Sequence, residues 1–222
     1  MTGLDTAPRS WQDFQDNPLP GVHADYVAGC MHPLQIHNEQ AFRAAIGQSR
    51  ERTLFVDMLR RHYSLESLSD INPEPADAIL AALSVSEWHD AVTACGAMYC
   101  ASVLVHEVRA PVLRLMEQML GESWWHWVQI GLLASGASQP SAYFDKAPET
   151  AEQWRGRIRQ VGSQLLWSWR DSLDESLAAW VKLKDAASDE GQQNARLLDA
   201  AYGEKCVRRL AMTLGRPSME TA

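Results

Sequence analysis

Between Glu149 and Lys184, apolar residues return at steps of three and four: Trp154, Ile158, Val161, Leu165, Trp169, Leu173, Leu177 and Trp180. Successive residues of an α-helix turn by about 100°, so this spacing gathers a single apolar stripe on one face. Such a stripe must be covered by other elements, and much of the rest of the chain is written in the same period. No sustained alternation of apolar and polar residues occurs, and no Asn-Gly or Asp-Gly turn that would close a hairpin. The chain therefore reads as all-α: a single compact bundle of roughly seven to nine helices.

Punctuation divides it further. Residues 1 to 37 hold Pro8, Pro18, Pro20 and Pro33 with Gly3, Gly21 and Gly29 and show no period, which predicts an irregular arm with one helical turn, packed on the main domain. The helical domain spans 38 to 214, and 215 to 222 form a flexible tail. Asn38 caps the first one or two helices, which end near His62. Pro73 and Pro75 start a short helix, and Ser84 with Glu87 has capping-box spacing ahead of a long apolar segment through Val108. Pro111 ends or kinks that segment. A helix from Val112 closes at Gly121, and "SWWHWVQIG" opens the next, to about Ala134. Residues 135 to 148 form a long loop. The break at 185 to 191 precedes a last helix from about Asn194 to Leu214.

Composition narrows the function. The chain has 222 residues, is 46% hydrophobic and carries a net charge of −8, with a pI near 5.3. An acidic chain lacks the clustered Lys and Arg from which affinity for a phosphate backbone comes, so a nucleic-acid partner is not expected. The longest weakly charged run, Ala91 to Val105, is shorter than the roughly 20 apolar residues of a membrane span. The opening residues have no basic stretch leading into an apolar one, which predicts no cleaved leader and an intracellular chain. Cys30, Cys95, Cys100 and Cys206 have no CxxC or framework spacing and read as reduced core thiols.

Motifs for chemistry are absent or incomplete. There is no GxSxG, GxxxxGK[ST] or GxGxxG. His106-Glu107 resembles the start of a zincin motif, but the position four residues on from His106 is Ala110 instead of a second histidine. His32, His37 and Cys30 lie close in sequence without a visible fourth zinc ligand. The expectation is no catalytic residue, no metal and no cofactor.

The tryptophans offer a different kind of site. On the helix of "WWHW", Trp124, Trp127, Val128 and Gly131 share a face with Trp125 and Leu132 at its edge, while His126, Ile130 and Leu133 point away. A helix apolar nearly all round is either central in the bundle or covered on its outer side by another protein, and tryptophan suits both. Trp167 projects away from the stripe among Gln160, Gln164, Asp171 and Asp174, where a large indole wants a neighbouring loop or a partner. Trp167, Trp125, Arg109 and Arg114 are the candidate contact residues, the arginines because a guanidinium fork suits oxygen clusters. The ordinary alternative for each arginine is a surface salt bridge. A second reading, a small helical enzyme or ligand carrier, would line a pocket with Trp124, Trp127, Met116 and Tyr99, with His106, Glu107 and His126 as its polar groups.

Three segments together resemble a known family: "DFQDNPLPGVHADYVAGCMHP", "ACGAMYCASVLVHEVRAPVLRLMEQMLGESW" and "WRDSLDESLAAWVK", the last placing Trp169 and Trp180 eleven residues apart ahead of a lysine. They are similar to the K-component accessory proteins of bacterial type III secretion, the YscK/PscK-like proteins of the sorting platform. The resemblance covers more than half of the chain and lies in spacing more than in identity. It implies a non-enzymatic, cytoplasmic helical adaptor at the inner membrane, joining the cytoplasmic domain of the inner-membrane ring protein to the C-ring-like pod protein, with the export ATPase and its stator below. Where the family carries adjacent arginines in its central helix, this chain has Val105-His106, with Arg109 the nearest substitute.

Overall fold

The computed structural model describes residues 9–31, 49–122, 124–135, 148–186 and 199–215. These residues form eleven α-helices and no strand, so the all-α class read from the periodicity holds. In chain order the helices are α1 (Trp11–Asp16), α2 (Ala24–Met31), α3 (Ser49–Tyr63), α4 (Pro75–Ala82), α5 (Val85–Tyr99), α6 (Ala101–Leu104), α7 (Ala110–Leu120), α8 (Trp124–Ser135), α9 (Ala151–Arg170), α10 (Glu175–Lys182) and α11 (Ala200–Leu214). Single 3₁₀ turns cover Leu19–Gly21 and Leu68–Asp70. Among the described residues no helix is long and apolar enough to cross a membrane. The Asn38 cap, the histidines His32 and His37, most of the 135–148 loop and the tail after Gly215 lie outside the described residues.

Two compact units emerge, a partition that the proline and glycine punctuation does not mark. One comprises the described residues within 86–172 and 199–215, and the other those within 9–85 and 173–186. The first unit thus contains α5 to α9 and α11, and the second α1 to α4 and α10.

Several boundaries differ from the sequence reading, each for a local reason. The N-terminal segment holds two helices and a 3₁₀ turn in place of an irregular arm. Ser10 accepts from the Asp13 backbone N–H while Asp13 reaches back to Ser10, a capping box that starts α1. The long apolar segment after Ser84 stops at Tyr99, resumes as the single turn of α6 and is irregular by His106. Downstream, Pro111 sits in the first turn of α7, where its missing N–H costs nothing, and the N-cap Arg109 is extended at ψ 118°. The stripe from Trp154 to Trp180 is two helices. Ser172 donates to the Trp169 carbonyl at 2.6 Å and Asp174 accepts from the Ser176 N–H, ending α9 and capping α10. The last helix starts at the Asp199 cap rather than near Asn194. Gly121 closes α7 at φ 76°, as expected of a glycine there.

In the first unit, α5 is the centre: every residue from Ala91 to Ala101 is buried. It is crossed by α9 at two glycines. A methyl group on Gly96 would overlap the Ile158 carbonyl oxygen, one on Gly162 would overlap that of Val92, and each would stand 3.1 Å from the other glycine's backbone nitrogen. The helices therefore touch backbone to backbone at these two positions. Gly131 makes a third approach, bringing α8 against Met98 and Ala101. From α11, the Tyr202 hydroxyl faces the Met98 and Gly131 carbonyls at 3.2 and 3.1 Å. Trp88 and Trp154 are fully buried around this core. Each indole removes about 150–250 Å² from water, on the order of 4–6 kcal/mol.

The second unit closes around α10. Trp180 is buried, donates its indole N–H to the Glu66 carbonyl at 2.9 Å and meets Phe14 edge to face at 6.4 Å. Lys184 is fully buried, its ammonium donating to the Leu83 carbonyl at the end of α4 and lying 5.0 Å from the Phe14 ring centre. A cation at the last carbonyls of a helix is favourable, and the aromatic face adds to it.

The crossing makes a paired prediction. Gly96→Ala should destabilise the protein by about 3 kcal/mol or more, because backbone atoms cannot yield as a side chain can. Gly156→Ala on the same α9, where an added methyl meets nothing within 4 Å, should stabilise by about 0.5–1 kcal/mol. Chemical denaturation of both variants checks the pair.

Candidate functional site

The Trp-rich helix answers its own question in parts. On α8, Trp127, Val128 and Gly131 are buried, as the helical wheel predicts, and His126 is exposed. Trp124 is half-buried and Trp125 is 39% exposed, the two rings meeting edge to face at 5.3 Å. On the outer side Leu133 is 78% exposed. Trp127 is therefore core, and Trp125 is the indole this helix presents at its surface.

Trp167 is half-buried on α9 and already engaged with its surroundings. Trp169 is also half-buried, its ring 6.2 Å from that of Trp88. Arg114 is exposed on α7.

Arg109 has a role the sequence reading did not assign. It lies in the loop between α6 and α7, where Glu107 folds back as an acceptor for five hydrogen bonds. Oε1 accepts from the Val108 and Arg109 backbone N–H groups at 3.1 and 3.0 Å and from Arg109 Nε at 2.8 Å. Oε2 accepts from the Arg109 guanidinium at 2.6 Å and from the buried Trp154 indole N–H at 3.1 Å. The same guanidinium donates to the Pro148 carbonyl at 2.7 Å and to that of Glu149, just ahead of α9. Glu107 is 7% exposed, and the Arg109 hydrogen bonds hold its carboxyl well below the usual range, at about 2. The Glu107–Arg109 pair thus ties the α6–α7 loop to a core tryptophan through the carboxylate and to the residues ahead of α9 through the guanidinium.

The residues proposed as a pocket lining are largely interior packing. Tyr99 and Met116 are fully buried. The Tyr99 ring lies tilted against that of Tyr202, centres 5.1 Å apart, and its hydroxyl accepts from the Asp199 N–H at 2.9 Å. Of the polar groups assigned to that pocket, Glu107 is committed to Arg109 and Trp154, while His106 and His126 are exposed. All four thiols are free and buried. Burial pushes Cys95 and Cys100 far up and Cys206 to about 12, so these thiols are not poised as nucleophiles. Among the described residues no group of three or more His, Cys, Asp and Glu could hold a metal ion.

The Glu107 node predicts a pH signature. Its carboxyl titrates at about 2 when folded against the usual 4.5, so its stabilisation is complete above 4.5 and is lost as pH falls toward 2. Glu107→Gln should cost about 1–3 kcal/mol at pH 7, and the gap to the parent should close between pH 4.5 and 2. Melting temperatures of both proteins across that range check it.

No protein-family model, curated protein or solved structure matches the chain.

Proposed function

We propose that the chain is a non-enzymatic adaptor of a bacterial type III secretion system. It sits in the cytoplasm at the inner membrane and links the cytoplasmic domain of the inner-membrane ring protein to the C-ring-like pod protein, reaching the export ATPase and stator only indirectly. The family is proposed on the three segments that resemble the K-component accessory proteins. The observation that supports a surface role is where the chemistry of the first unit goes. Its Glu107 carboxylate, Tyr202 hydroxyl and three thiols are drawn into the interior, while Val108, Trp125 and Leu133 are left outside. An adaptor works through such surfaces, and tryptophan is over-represented where truncation costs most at interfaces.

Arg109 contributes by holding its loop, since most of its donors are already engaged. The contacts assigned to partners are then Trp125 on α8, Arg114 on α7 and the exposed part of Trp167 on α9.

Co-purification of the tagged protein from cells that carry the secretion apparatus tests the reading. The ring protein and the pod protein should both be recovered, and Trp125→Ala or Trp167→Ala should lower recovery of at least one by fivefold or more while the melting temperature changes little. Recovery of neither partner with the parent protein would overturn the assignment.

A further inference from the structure

We draw no further inference here: the strongest candidate, the outer face of α8 with Trp125 and Leu133 exposed, is an apolar surface for which nothing in the structure shows what covers it.

Discussion

The first unit depends on two backbones in contact. Gly96 and Gly162 let α5 and α9 approach until each helix's missing side chain makes room for the other's carbonyl. Dispersion attraction falls off steeply with separation, so a crossing at this range gains contact that bulkier residues would forfeit. It also leaves α5 no freedom to slide. Gly131 then admits α8 to another side of α5, and the Tyr202 hydroxyl bridges the two at the Met98 and Gly131 carbonyls. With α5 enclosed in this way, the thiols of Cys95 on it and of Cys100 just beyond its end are buried, and that burial pushes both pKa values up.

The same enclosure decides what remains for function. Trp154 lies on the buried face of α9 and its indole N–H needs an acceptor, which Glu107 supplies from a loop 47 residues earlier. Meeting that need fixes the loop, and Arg109 completes it against the residues ahead of α9. An interior requirement thereby produces an ordered surface. Interfaces built on braced elements lose less entropy on binding than those on free loops, so an ordered surface of this kind favours association.

Much of the helical content was legible because its signals are local. The three- and four-residue steps from Trp154 to Trp169, the buried wheel face of Trp127, Val128 and Gly131, and the Gly121 stop each follow from neighbouring residues. The division of the long stripe was less so. Leu173, Leu177 and Trp180 continue the apolar period across the Asp174 cap, yet they serve the core of the second unit while Trp154 to Leu165 serve the first. Periodicity records that a face is buried and not against what. The Asp174 cap and the Thr150–Gln153 capping box were readable signals that the stripe overshadowed. Glu107 was not readable as a structural acceptor, because its partner Trp154 is distant in sequence and His106-Glu107 drew attention to metal chemistry. Lys184 closed the stripe as an ordinary charged residue ahead of the break, and only the tertiary arrangement of Phe14 and Leu83 makes it a buried cation.

Hydrogen exchange of the intact protein, read by mass spectrometry with and without purified ring-protein and pod-protein domains, tests the central claim that a locked glycine crossing supports partner-binding surfaces. The account predicts that peptides spanning Val92–Met98 and Ile158–Gly162 exchange slowest and alike, and do not change on adding a partner. Protection should instead appear in peptides covering 105–111, 124–133 or 163–170. Fast or unequal exchange at the crossing, or no added protection in any of these surface peptides at saturating partner, would contradict it.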